Sequence, residues 1–375
     1  MLSRCLVLAL LSLVVLVVCG QVVNEDALRK IPLAGNTAQI IDIEVLPDGH
    51  TLLASCAKGA ALLVIDTNDW RITRTIALSG FSDGAQLSIA PDGHHVLLRE
   101  RSRYFADPAH ERSLRTAVLD LRRDALVLER ASDQDATWMP HGATLATLSG
   151  TRVAFHALDG DRAPAGFDVP LAGNAFAIAP DGRSLAIAHH PTAEELQQQP
   201  SLRNDKKALK PALKYRQLVS FFALPEGHRS GTVSTLYDVV MAMRYTADGQ
   251  RLLVYSVPDL RFNPASYGVG VVDQVDAASG LPLRASCMSR MNGPDLAISP
   301  DGLTLALSST EGRNKRKLTC YELATGDTRM MIDLAQKRRY DKGEGEEHDG
   351  RLGYGWLPDG RLIVAQGNDL GSYRP

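Results

Sequence analysis

Histidine is the residue type that most invites a search for chemistry, because the chain contains ten of them. His94-His95 and His189-His190 are doublets within short apolar runs typical of β-strands. Neighbouring side chains of a strand point to opposite faces, so neither doublet can hold one metal ion as a pair. His50 and His94 each follow a turn at equivalent places and are expected at the surface. His189 or His190 could reach a ligand, but nothing else in the sequence supports that role.

The sequence patterns of common catalytic sites are also missing. No GxSxG nucleophile elbow is present, because the one match to those letters, Gly80-Phe81-Ser82-Asp83-Gly84, stands between two short strand-like runs and no helix pattern follows it,. The chain has no HExxH, Walker or GxGxxG motif,. It has no CxxC motif, so neither a zinc site nor attached c-type haem is indicated,. Cys56, Cys287 and Cys320 lie in apolar runs and are expected to act as small buried hydrophobic residues, with a bridge between the last two left open,. The sequence therefore predicts no catalytic residues, no metal site and no cofactor.

Basic and aromatic residues form a stronger candidate for binding, and they concentrate in five irregular insertions. These are Arg99–Leu114, His190–Arg216, Pro258–Gly268, Ser309–Lys317 and Ala335–Gly350. Together they carry a net charge of +6, whereas the whole chain carries −2 and the remainder therefore −8. Guanidinium groups beside aromatic rings suit an anionic ligand or an acidic protein surface. The expected binding residues are Arg99, Arg101, Arg103, Tyr104, Phe105, Lys206, Lys207, Arg313 and Lys315.

Two further features of these insertions bear on that interpretation. The lysine-rich segment Asn204–Tyr215 is expected to form a short helix, and the glutamine-rich stretch Pro191–Ser201 is expected to be mobile. Surface loops carry lysine and arginine in any protein, and the last insertion contains an acidic cluster at Glu344, Glu346 and Glu347. The alternative therefore remains that these insertions are ordinary solvated loops and not a binding face.

A repeated turn must position all of these residues. Pro-Asp-Gly or a near copy occurs seven times, each time between two short apolar runs. Proline pre-sets φ, aspartate bonds its own backbone and glycine adopts positive φ, so each copy is expected to be a hairpin turn. The copies are Pro47-Asp48-Gly49, Pro91-Asp92-Gly93, Pro140-His141-Gly142, Pro180-Asp181-Gly182, Ala247-Asp248-Gly249, Pro300-Asp301-Gly302 and Pro358-Asp359-Gly360.

The first repeat shows the unit most clearly. Four short apolar or alternating runs follow one another with turn residues between them, and they are Gln39–Val45, Thr51–Cys56, Ala61–Asp66 and Arg71–Leu78. Four antiparallel strands per repeat make a propeller blade, so the chain is predicted to be all-β, a seven-bladed β-propeller. The last repeat is too short for four strands. We therefore expect Leu28–Ala34 to serve as the outer strand of the seventh blade, pairing with the blade that contains Arg361–Gln366 and closing the ring,.

These turns and strands resemble those of bacterial WD40-like propellers of the TolB and YVTN kind. The run Leu296–Gly302 (LAISPDG) followed by Leu303–Ser308 (LTLALS) carries the likeness most plainly, and the resemblance covers nearly all of the chain after residue 20. The chain departs from strict WD40 repeats, because it has no Trp-Asp dipeptide at its strand ends and no regular Gly-His start. The resemblance implies a fold and hardly any function, since propellers host both binding modules and enzymes.

The first 20 residues are predicted to be a secretory signal peptide, with a single propeller domain over residues 21–375. Arg4 precedes the apolar run Leu6–Val18, which is shorter than the about 20 residues of a membrane span,. A periplasmic or secreted location is expected, and lipidation at Cys19 is the minority alternative. The expected function is a non-enzymatic scaffold that binds another envelope protein or an anionic ligand, and not nucleic acid. The alternative is a propeller enzyme, either a lactonase-like hydrolase or a subunit of a periplasmic oxidoreductase.

Overall fold

Seven four-stranded antiparallel sheets form a closed ring in the computed structural model. It describes residues 21–24, 28–57, 61–100, 114–160, 162–199, 202, 206–259, 270–289, 296–311, 315–335 and 352–374. Two short strands come first, β1 (Gln21–Asn24) and β2 (Arg29–Ile31). Blade one contains β3 (Ile40–Val45), β4 (Thr51–Cys56), β5 (Ala61–Asp66) and β6 (Arg71–Ala77). Blade two contains β7 (Gln86–Ile89), β8 (His95–Arg99), β9 (Leu114–Asp120) and β10 (Ala125–Asp133).

The next blades follow the same order along the chain. Blade three contains β11 (Asp135–Trp138), β12 (Thr144–Ser149), β13 (Arg152–Ala157) and β14 (Phe167–Asp168). Blade four contains β15 (Gly173–Ile178), β16 (Ser184–His189), β17 (Leu218–Ala223) and β18 (Arg229–Thr232), with helices α1 (Ala193–Gln198) and α2 (Lys206–Tyr215) between β16 and β17. Blade five contains β19 (Val239–Tyr245), β20 (Arg251–Val257), β21 (Gly270–Asp276) and β22 (Pro282–Ser289).

The last two blades each use an N-terminal strand. Blade six contains β23 (Ala297–Ile298), β24 (Thr304–Glu311), β25 (Lys315–Glu322) and β26 (Thr328–Ala335), and β1 adds a fifth, parallel strand beside β26. Blade seven contains β27 (Tyr354–Trp356), β28 (Leu362–Gln366) and β29 (Asp369–Tyr373), and β2 completes it by pairing antiparallel with β29. The predicted closure of the ring by the N-terminal segment is confirmed, whereas β1 was not anticipated.

The repeated turn has the expected geometry. All seven glycines adopt φ between 69° and 81°. In the first copy Asp48 Oδ1 accepts hydrogen bonds from the backbone amides of His50 and Thr51, at 2.8 and 2.9 Å. The aspartates of the other five Asp-Gly copies likewise accept a backbone amide two residues ahead. These carboxylates therefore stabilise their own turns, as aspartate does in loops generally.

Hydrophobic packing is divided among the seven interfaces between neighbouring blades. Each of seven buried clusters joins residues of two successive blades, including one that joins blade seven to blade one. Alternate residues of a second strand face opposite neighbours, so that Leu52 and Ala54 pack toward blade seven and Leu53 toward blade two. Because both faces of the strand are buried, its sequence is mostly apolar, with Ser55 as the exception among its buried residues, and does not alternate,.

Polar groups of the inner strands also connect neighbouring blades. Asp42 Oδ2 accepts the amide of Leu87 at 2.7 Å, and Asp135 Oδ2 accepts the amide of Phe176 at 2.9 Å. Trp138 donates its indole N–H to the Ser88 carbonyl at 3.0 Å. Trp356 donates equivalently, to the Ala297 carbonyl at 3.1 Å. These bonds satisfy buried polar groups and fix the spacing of the blades around the ring.

Candidate functional site

The alternating direction of the strands separates two faces of the ring. The seven Pro-Asp-Gly turns and the turns between third and fourth strands lie at one end of the blades, which we call the turn face. The connections between second and third strands, and from each blade to the next, lie at the opposite end, which we call the insertion face. All five sequence insertions belong to connections of the insertion face. Long connections on a rigid scaffold are a common place for binding.

The expected binding residues are only partly within the described chain. Arg101, Arg103, Tyr104, Phe105 and Arg313 lie outside the described residues. Lys206 begins α2 and Lys315 begins β25, and of these two only the backbone is described. The insertion predicted at Ser309–Lys317 is mostly regular, because β24 runs to Glu311 and β25 starts at Lys315. Long paired strands, rather than an irregular loop, carry that part of the insertion face.

Arg99 has its partners inside the protein. Its Nη1 lies 2.6 Å from Asp135 Oδ1, and its Nη2 donates to the Gln134 carbonyl at 2.9 Å. The two side chains are 13% and 18% exposed, so the pair is largely shielded from solvent. Together with the Asp135–Phe176 bond, this pair connects blades two, three and four. Arg99 therefore holds blades together, and little of its charge is left to attract a partner.

Other basic residues of the insertions are also neutralised by acidic residues outside them. Arg216 forms an ion pair with Asp238, and Lys317 Nζ lies 3.9 Å from Asp333 Oδ1. Arg316 is buried, at 8% exposure. The net charge that a partner experiences at the insertion face is consequently smaller than the count of +6 suggests.

Helix α2 retains exposed positive charge. Lys207, Lys210 and Lys214 are all exposed, and no carboxylate within the described part of the chain forms an ion pair with Lys210 or Lys214. Lys214 Nζ lies 5.1 Å from the centre of the Tyr215 ring. Ala212 is buried, and Leu213 is 36% exposed. Lys210 and Lys214 are four residues apart, which places them on the same side of a helix. The helix predicted from Asn204 to Tyr215 is present over Lys206–Tyr215.

Helix α1 is held in place by a capping box at its N-terminus and by an ion pair to blade four. Thr192 Oγ1 accepts the amide of Glu195, and Glu195 Oε2 accepts the amide of Thr192 at 2.7 Å, which is a capping box,. Arg229 of β18 forms an ion pair with Glu195 Oε1. Burial alone would raise the pKa of Glu195, but the Thr192 amide and the Arg229 guanidinium outweigh it and hold that pKa below its ordinary value. The stretch predicted to be mobile thus contains a helix bonded to blade four.

His189 of blade four has a partner at each ring nitrogen. His189 is 5% exposed, with its Nδ1 2.9 Å from the His190 carbonyl and its Nε2 2.7 Å from Ser220 Oγ. Since the carbonyl can only accept, Nδ1 carries the proton and Nε2 accepts the Ser220 hydroxyl. Burial lowers the pKa of His189, which favours this neutral form. Ser220 has no exposed surface, so the pair serves as an internal hydrogen bond and not as a nucleophile and its base.

No metal centre is formed by the residues that the structure describes. No three His, Cys, Asp or Glu side chains within those ranges converge in a way that could hold an ion. Cys56 and Cys320 are free and buried, as expected, and burial raises the pKa of their thiols to about 11 and about 12. Cys320 therefore forms no bridge to Cys287. Among the described helices, none is both long and apolar enough to cross a membrane.

Sequence reasoning missed the association of His189, Glu195 and Arg229. One signal was present, because Thr192-Ala193-Glu194-Glu195 has the spacing of a capping box and predicts a helix start,. No sequence pattern could show that Arg229, 34 residues further along, would reach that helix. Arg229 begins β18 opposite Phe222, and its side chain bonds both Thr232, further along the strand, and Glu195 of α1.

The comparisons with known proteins identify the fold. No family model matches the chain, and no curated protein sequence matches it. Among solved structures, the β-propeller domain of Cps50 (Swd1) from Myceliophteria thermophila superposes with a TM-score of 0.58. The match covers 92% of this chain and 97% of that domain, at 12% sequence identity. At this identity the likeness extends to the architecture alone, which is that of a WD40-like β-propeller.

Proposed function

We propose that this protein is an exported propeller scaffold of the bacterial TolB and YVTN kind, which binds an acidic partner protein of the cell envelope through its insertion face. Residues 1–20 would direct its export and be removed, leaving the protein in the periplasm or outside the cell. The resemblance of the repeats and the form of the N-terminal segment support this assignment. A rigid ring with long connections on one face is suited to binding a partner without catalysing a reaction.

The exposed lysines of α2 carry this proposal. Lys207, Lys210 and Lys214 project from a helix that stands between β16 and β17 and packs against α1. His190 and Arg216 stand at the two ends of the insertion that contains both helices. His190 Nδ1 lies 3.2 Å from the Arg216 carbonyl oxygen, and this contact holds the base of the insertion at blade four. A short, anchored helix presents its charges at a low cost in conformational entropy, and this favours binding by preorganisation.

The experiment compares two charge reversals in the full chain. The first variant carries Lys207→Glu, Lys210→Glu and Lys214→Glu. The matched control carries Arg71→Glu, Arg123→Glu and Arg183→Glu, which reverse three exposed charges of the turn face. Immobilised wild type and both variants are exposed to envelope extract at two salt concentrations, and the recovered proteins are quantified.

We expect the lysine variant to lose partners that the wild type and the arginine control both retain. Recovery by the wild type should also fall as salt rises, because exposed charges are screened over about 10 Å at 0.1 M ionic strength. Equal recovery by all three proteins would place the binding surface elsewhere, on the turn face or the rim. Equal loss in both variants would indicate a general effect of net charge and would also contradict the proposal.

A further inference from the structure

A cavity of about 180 Å³ lies between blades three and four, beneath helix α1. It is lined by Val169, Pro170, Leu171, His189, Thr192, Glu195, Phe222 and Arg229. The residues come from the connection between the blades, from α1 and from three strands of blade four. The cavity is distinct from the exposed lysines of α2, and the proposed function makes no use of it.

The cavity lies where the chain leaves the outer strand of blade three. Strand β14 has only two residues, Phe167 and Asp168, and pairs with β13 at two positions. Asp168 is paired with Arg152, the first residue of β13, and the chain then passes directly into the connection to blade four. Val169, Pro170 and Leu171 of that connection face Phe222 across the gap and supply an apolar wall. The volume resembles that of an apolar cavity of about 150 Å³ that accepts benzene.

One end of the cavity is polar and offers both a donor and an acceptor. Arg229 donates through Nε and Nη2 to Thr232 Oγ1, and through Nη1 to Glu195. A guanidinium has five N–H groups, so two remain without a partner among the described residues. Each Glu195 oxygen accepts one bond and can accept a second,. A hydroxyl or amide group could therefore both donate and accept at this end.

The charges at that end cancel. Arg229 and Glu195 form an ion pair, and the two ring nitrogens of His189 are both used by neighbouring groups. A carboxylate ligand could accept from Arg229 but would lie beside the Glu195 carboxylate, and an ammonium ligand could donate to Glu195 but would lie beside the Arg229 guanidinium. Since burial of an uncompensated charge is costly, a neutral ligand is favoured over either ion.

We propose that this cavity binds a neutral one-ring molecule that carries a hydroxyl group, of the size and chemistry of phenol. The ring occupies the space between Phe222 and the Val169–Leu171 connection. The hydroxyl lies at the polar end, where it accepts from Arg229 and donates to Glu195. The site favours the neutral form, because the paired charges that bind the hydroxyl leave no net charge to compensate an anion or a cation.

Ligand-observed NMR on the full chain tests the proposal, with phenol, benzoate and benzylammonium as probes. Leu171 is partly exposed at the cavity wall, so Leu171→Trp fills the cavity with little disturbance of the fold. The matched control is Leu281→Trp, at a leucine that is 56% exposed on blade five. Melting temperatures of both variants verify that they are folded.

We expect the wild type and Leu281→Trp to bind phenol with a Kd on the order of 1 mM, which is typical of a ligand with so few atoms. Leu171→Trp should weaken this binding at least about tenfold, and both charged probes should bind the wild type at least about tenfold more weakly than phenol. Undiminished binding in a folded Leu171→Trp protein would overturn the proposed location. Benzoate or benzylammonium binding as tightly as phenol, or no phenol binding to the wild type, would overturn the proposed chemistry.

Discussion

Asp135 shows how much a single carboxylate can contribute to a ring of blades. It accepts hydrogen bonds from Arg99 of blade two, from its neighbour Ala136 and from the amide of Phe176 in blade four. Removing it would leave a largely buried guanidinium without its counter-charge and a backbone amide without its acceptor. Both losses lower the free energy of unfolding, because a buried polar group without a partner destabilises the folded protein.

The prediction at the residue scale follows from this arrangement. Asp135→Ala should lower the free energy of unfolding by about 3 kcal/mol, the effect of breaking a buried ion pair from one side. Asp168→Ala removes a partner of Arg152 in a pair whose side chains are 50% and 66% exposed, and should cost less than about 1 kcal/mol,. Urea denaturation of both variants measures the difference. Equal effects would show that the Asp135 bonds do not stabilise the ring.

At the scale of elements, the N-terminal strand β2 decides whether the ring closes. Ile31 is 5% exposed and belongs to the cluster shared by blades seven and one, whereas its neighbour Lys30 is exposed. The difference arises because adjacent residues of a strand point to opposite faces. Strand β2 also pairs with β29, the last strand of the chain, so its loss would leave blade seven with three strands.

Two substitutions at adjacent positions test the role of β2. Ile31→Asp should destabilise the protein by more than about 3 kcal/mol, because it removes a buried side chain and buries a charge. Lys30→Asp alters the same strand and should change stability by about 1 kcal/mol or less. Thermal unfolding measures the stability of both variants. Deletion of residues 21–36 removes the whole strand and should lower the melting temperature most. A deletion mutant that melts with the wild type would show that this segment is only a tail.

At the scale of the whole molecule, the shared clusters predict cooperative unfolding. Every one of the seven interfaces has its own apolar cluster, so no blade can unfold without exposing the surfaces of its two neighbours. Trp70, Trp138 and Trp356 report on blades one, three and seven by fluorescence, and circular dichroism reports on all of the sheets. We expect the two signals to change with one midpoint in urea, as in a two-state transition. Separate midpoints would mean that parts of the ring unfold independently.

Much of the architecture could be predicted because it rests on local chemistry. The turn at Asp48-Gly49 needs only residues that bond within the turn and adopt positive φ, and the same holds in every repeat. The four strands of blade one were located to within a residue at their ends, because each apolar run is bounded by turn residues. The role of Leu28–Ala34 followed from counting strands, since a closed ring must supply every blade with four.

The site could not be predicted in the same way, because its contacts join distant segments. Arg99 looked like a free binding residue until the structure placed Asp135 beside it. The parallel pairing of β1 with β26 joins residues about 300 positions apart, and no pattern in Gln21–Asn24 indicates it. The cavity beneath α1 depends on the connection that follows β14, on a capping box and on an arginine from the next hairpin.

The sequence by itself determined the number of blades, the two faces of the ring and the place of the long connections. It could do so because turn propensity and strand periodicity act over a few residues and are repeated seven times. The tertiary structure alone decided which charges are neutralised, as at Arg99, and which remain exposed, as at Lys210 and Lys214. That outcome depends on which side chains the packing of blades brings within a few ångströms, and Coulomb interactions at that range are set by position rather than by composition.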